Sequence, residues 1–110
     1  MDELNAFIEQ LASLSGTLKE IFTTGNIEFF PKMNGVIKEM YRLQAGSEEA
    51  PLMAIDPDCK IIYGNFDMIV KVLRTTEDGV IDAGAQKAIN KFLRNIGEAV
   101  ANIARAFDLV

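Results

Sequence analysis

"AIDPDCKIIYGN", residues 54–65, can be built in two ways, and the choice decides the fold. As a β-hairpin, "LMAI" and "KIIY" are short apolar strands joined through Asp56-Pro57-Asp58, a run that suits a turn. As a helix start, Asp56 is the N-cap, Pro57 sits at the first helical position and Asp58 at the second. A capping carboxylate accepts an orphan backbone N–H. Proline loses no hydrogen bond there, and a second carboxylate complements the positive end of the helix dipole.

The residues downstream separate the two readings. Cys59, Ile62, Phe66, Ile69 and Leu73 recur at alternating steps of three and four, with Tyr63, Val70 and Thr76 beside them. That is the apolar face of a helix. A hairpin would put Ile61 and Ile62 on opposite faces and leave the later register a coincidence. Gly64 is the one internal residue that fits the helix badly.

The hairpin reading resembles the opening of a PAS sensor domain. There an apolar strand ends in Asp, turns, and continues as a second strand ending in Asn; Asp56, Ile61 to Tyr63 and Asn65 match. The resemblance covers about twelve residues. It implies a small-ligand sensor with an apolar pocket between hairpin and helices, and Tyr63 or Asn65 as polar contacts. The sequence departs from the pattern at the turn, where Cys59 stands in place of glycine, and after Asp82, where everything reads as helix.

Three further segments carry helical periodicity. Leu4, Phe7, Leu11, Leu14, Leu18 and Ile21 form a stripe that Ile8 and Phe22 widen, interrupted only by Gly16; Gly25 is a left-handed stop. A break at Ser15-Gly16 into two helices is the alternative there. Asn26 and Pro31 open a second helix whose stripe is Phe30, Met33, Ile37, Met40 and Gln44, with Val36, Tyr41 and Leu43 beside it and Gly46 ending it. Residues 46–55, "GSEEAPLMAI", lack periodicity and read as a loop whose apolar end tucks against the core. From the N-cap Asp82, a last helix carries Ala85, Ile89, Phe92, Ile96, Val100, Ile103 and Phe107 on one face, broadened by Leu93.

The expected fold is therefore all-α, an antiparallel up-down four-helix bundle forming a single domain over residues 1–110. Its helices fall at about 2–23, 28–45, 57–75 and 82–108. Short connections favour antiparallel neighbours. The alternative is α+β, with a short β-hairpin at 52–63.

Composition limits the chemistry. The 110 residues are 49% hydrophobic with a net charge of −5, which argues against nucleic acid as a partner. Acid gathers at residues 46–56 and 76–82, while Lys87, Lys91 and Arg94 line a solvated face of the last helix. No apolar run reaches the ~18 residues of a membrane span, and the N-terminal decad has neither the basic nor the apolar region of a secretory signal. With one cysteine and so no internal disulfide, the expected location is cytoplasmic. There is no histidine, which removes the commonest general base, the His-paired nucleophiles and histidine phosphotransfer. Cys59 alone makes no thiolate zinc site. "DPDCKIIYGNFD" fails as a calcium loop, having Lys60 and Ile61 where a ligand and a glycine are needed. Glu77, Asp78 and Asp82 gather at a capped turn. The glycines are scattered and form no phosphate cradle. Cys59 near a helix start is either a thiol activated by the helix dipole or a core residue, and the stripe favours the core. No cofactor or metal is expected.

These readings point to a non-enzymatic protein-interaction or assembly module: a small helical adaptor, chaperone or immunity-type protein that binds a partner protein, itself, or both. The apolar surplus and five methionines support it. The candidate partner-binding residues are Phe29 and Phe30 in "FFP" and Leu52 and Met53 in "PLM", all near helix ends.

Overall fold

The computed structural model describes residues 2–25, 27–75 and 81–109. Asn26, proposed above as a cap, and Thr76, Glu77 and Asp78 lie outside them. Among the described residues the chain is all-helical: α1 (Asp2–Thr24), a 3₁₀ turn (Ile27–Phe29), α2 (Phe30–Gln44), α3 (Ala50–Ala54), α4 (Asp56–Thr75) and α5 (Ala83–Ala106). No strand occurs among them.

The hairpin expected as the alternative at 52–63 is not formed, because Asp56 and Pro57 open α4. Helical geometry separates Ile61 from Ile62 as a core boundary requires: Ile62 is fully buried and Ile61 is 44% exposed. The turn of sequence that matched a PAS opening is thus the first turn of a helix. Cys59, Ile62, Phe66 and Ile69 are its buried face.

The stripe of α1 is buried along its whole length, from Leu4 to Ile21. Gly16 does not break the helix, so the two-helix alternative is not realised. Phe22, read as widening the stripe, is instead 51% exposed. It sits in the last turn, rotated off the core face. The backbone then turns through Gly25, at φ +68°, whose N–H donates to the Ile21 carbonyl at 2.7 Å. A residue with a side chain adopts that conformation at a cost. Thr17 is the buried polar residue of this helix, and its hydroxyl donates to the Ser13 carbonyl at 2.9 Å.

Residues 46–55 correct the expected loop. They contain the five-residue helix α3, with Pro51 in its first turn. A helix this short spans too few residues to display a period. The tuck against the core is real: Leu52 and Ile55 are buried, at 0% and 2% exposure. At the last helix, Asp82 is the cap, its carboxylate accepting from the Ala85 N–H at 2.7 Å. Ile89, Leu93, Ile96, Ala99, Val100 and Ile103 form the buried face of α5.

One core joins all the helices. α1 packs along α2 and α4 packs along α5, while α2 meets α4, and α1 meets α5, over much shorter lengths. The ends are tied by individual contacts. The Ser47 hydroxyl donates to Glu3 at 3.4 Å, Gln44 to Asp56 at 2.9 Å, and Asn102 to Asp58 at 3.4 Å. Phe7 and Phe107 stack edge-to-face with centroids 6.3 Å apart. The ion pairs Lys60–Asp56, Lys71–Asp67 and Arg42–Glu39 are on the surface and contribute little to stability.

Candidate functional site

Where α2 and α4 diverge, they leave a groove of about 740 Å³. Its floor is Phe30, Ile37 and Phe66, core residues with a small exposed edge. Its walls are Tyr41 on α2 and Tyr63, Val70 and Leu73 on α4. Asn34, Lys38, Asp67 and Arg74 supply the polar rim. The local reason is helical register. On α2 the stripe of Phe30, Met33, Ile37 and Met40 faces the α1 side and the common core, and Tyr41 follows one step off it, 56% exposed. On α4, Tyr63 and Val70 flank the buried stripe and are half-buried.

Tyr41 and Tyr63 meet at the upper end of the groove, edge-to-face, with ring centroids 5.3 Å apart and planes at 75°. Beyond them a second hollow of about 440 Å³ continues the surface to Gln44, Met53, Asp56 and Lys60. At the other end Phe30 is shared with a hollow of about 430 Å³ that runs beside Phe22 to Ile89 and Arg94.

A buried amide fixes the tyrosine end. Gln44 is 7% exposed; its Nε2 donates to Asp56 Oδ1 at 2.9 Å and to the Leu52 carbonyl at 3.5 Å. The Tyr63 hydroxyl donates to Gln44 Oε1 at 3.5 Å. One side chain therefore joins α2, α3 and α4. Its hydrogen bond, with help from the Lys60 ammonium, holds the Asp56 carboxyl below the ordinary carboxylate range. Burial pushes the Tyr63 phenol well above its usual value, and the neighbouring Cys59 adds to the effect.

Cys59 resolves in favour of the core. It is fully buried, and burial pushes its thiol up to about 11 against a pull downward from the Tyr63 hydrogen bond. Asp56 and Asp58 nearby push it further up. Loss of solvation disfavours the thiolate, and the side chain sits as a core residue of α4. Among the described residues, no three Cys, Asp or Glu side chains are grouped to hold a metal ion.

The four residues expected at a partner surface fall in different environments. Phe30 is on the groove floor and 6% exposed; Leu52 is fully buried. Phe29 is half-buried against the core. Met53 is 59% exposed and lines the hollow beyond the tyrosines. Phe30 and Met53 stand near opposite ends of α2, and the tyrosine-walled groove joins them in one continuous surface. Tyr41 and Tyr63, which form its centre, were not among the expected partner-binding residues, Tyr63 being expected only as a polar contact in the sensor reading. The available signal was their position one step off each stripe, where an aromatic ring is neither core nor fully solvated. Tyr63 and Asn65, the alternative polar contacts of the sensor reading, face different elements. Asn65 donates to the Ile61 carbonyl at 2.7 Å and accepts from Asn95 of α5 at 3.0 Å, whereas Tyr63 faces α2.

Compared with protein-family models, with curated proteins and with solved structures, the chain gives no match. No helix among the described residues is long and apolar enough to cross a membrane.

Proposed function

We propose that this chain is a non-enzymatic protein-interaction or assembly module, a small helical adaptor, chaperone or immunity-type protein that works by binding a partner protein or itself. The observation that carries the reading is the tyrosine-walled groove. Exposed aromatic and apolar side chains at an elongated hollow are the usual anatomy of a protein-recognition surface. Tyr41, at its upper end, keeps 56% of its surface in solvent beside an apolar floor.

The architecture that goes with this reading is an antiparallel up-down-up-down arrangement of the four long helices. It is supported by end-to-end pairing: Glu3 with Ser47, Gln44 with Asp56, Asp58 with Asn102, and Phe7 with Phe107. A cytoplasmic location belongs to the same proposal, on the strength of a lone, buried, unpaired thiol.

Light scattering after gel filtration, combined with capture of partners on immobilised protein, tests the proposal. The expected result is either a mass above 12.1 kDa or a stoichiometric partner. A strict monomer that retains nothing would refute it.

A further inference from the structure

We infer that the groove between α2 and α4 receives an amphipathic helix of about three turns, presented by a different protein and carrying carboxylates beside its apolar anchors. The inference rests on the protein-interaction reading above and specifies its partner.

Length comes first. The α4 wall runs from Tyr63 to Arg74, and the α2 wall from Phe30 to Tyr41. Each spans a rise of roughly 16 Å, about three helical turns. A helix lying there would lay apolar side chains at i, i+3 or i+4, and i+7 on the floor of Phe30, Ile37 and Phe66.

Charge selects the occupant's sign. The chain as a whole is acidic, at −5, but this rim is not. Asp67 is neutralised by Lys71 at 3.1 Å. Lys38 and Arg74 are exposed, and among the described residues neither makes an ion pair. Among the described residues the rim therefore carries one cation on each wall with no carboxylate in ion-pair distance. Carboxylates on the visiting helix would pair with them, and lysines there would be repelled.

A second copy of this chain fits badly. Its most acidic long helix is α1, yet the apolar stripe of α1 from Leu4 to Ile21 is buried in its own core. The same holds for the stripes of α2, α4 and α5. A copy could offer one of these stripes only by opening its own fold, and the exposed Ile61 and Met68 on α4 supply two anchors where the groove takes three.

The test is selection of a displayed library of fifteen-residue helical peptides on the purified protein. The enriched peptides should carry apolar residues at the stated spacing with Asp or Glu beside them. A synthetic member of the pool should bind at least ten-fold more weakly to Tyr41→Ala and to Lys38→Glu/Arg74→Glu, all three residues being exposed and so compatible with folding. The charge-reversed variant should in turn prefer the same peptide with its acids changed to Lys. Thermal melts confirm that the variants are folded. A pool without acidic bias, or binding unchanged by the groove variants, overturns the inference while leaving the interaction reading intact. A dimer that Tyr41→Ala dissociates also overturns it, making a second copy the occupant. An empty selection together with a strict monomer that captures no partner removes both.

Discussion

Replacing Leu52 with Ala tests whether α3 belongs to the core or merely lies on it. Leu52 is fully buried, and its side chain loses three carbons in the exchange. At about 0.8 kcal/mol per buried methylene, the transfer term is about 2.4 kcal/mol. The cavity left behind adds to this, and measured leucine-to-alanine changes span about 2–5 kcal/mol. α3 is short and flanked by loop, so it can settle partway into the space, which favours the low end, about 3 kcal/mol. With an unfolding entropy of about 2.1 cal/mol/K per residue, that loss lowers Tm by about 13 °C. The neighbouring Met53→Ala is the control, since Met53 is 59% exposed. It should move stability by no more than about 0.5 kcal/mol. Circular dichroism melts and urea titrations of both variants give the comparison, with amide exchange at residues 50–55 as a local probe. The reasoning is refuted if Leu52→Ala melts within about 3 °C of the parent while exchange in α3 accelerates. α3 would then open independently of the rest. Equal losses for the two variants would refute it as well.

Three other outcomes follow from single features. Cys59 and Tyr63 both titrate higher in the fold than in the open chain, so their contribution is fully present below the unfolded values of 9.0 and 10.0. It is lost as pH rises, for Cys59 over the window from 9.0 to about 11, by about 1–2 kcal/mol after solvent screening. Urea titrations at pH 8 and pH 11 should show this fall, and Cys59→Val/Tyr63→Phe should flatten it; an unchanged slope in that variant would exclude both groups as its source. Asp82→Ala removes the cap on Ala85 and should cost about 1 kcal/mol, while Asp82→Asn keeps most of it, as read by thermal melts. Ala at Gly25 and at Gly64 should act in opposite directions. Gly25 holds φ +68° and its substitution costs about 1 kcal/mol or more, whereas Gly64 is helical with open space around it and gains about 0.5–1 kcal/mol. Two changes of the same sign in parallel urea titrations would contradict the backbone assignment.

The long helices were legible because each buries one face, and a buried face writes its period into the sequence. Leu4 to Ile21, Phe30 to Gln44 and Cys59 to Ile69 are such records. Asp56-Pro57 was ambiguous over a few residues and became clear only through Phe66 and Ile69, about three turns or more away. α3 was not legible, because one and a half turns leave no repeat to read. The groove was not legible for a different reason. It arises from the separation of α2 and α4, a relation between elements far apart in sequence, and nothing local sets Tyr41 and Tyr63 apart from other residues flanking a stripe. Phe30 and Leu52 were expected at the surface because they stand near helix ends. The 3₁₀ turn before α2 and the docking of α3 carry them inward instead.

The division of the packing between α1 with α2 and α4 with α5 bears on what happens if the backbone is cut. The residues between the two pairs include Ser47 and Glu49, joined by a 3.2 Å hydrogen bond from the Glu49 N–H to the Ser47 hydroxyl. A protease nicking there would sever no long helix. It would part α1 and α2 from α4 and α5, and each part would expose the share of the common core that it now buries against the other. The expected outcome is that the two fragments stay together after the nick, because only together do they cover that core.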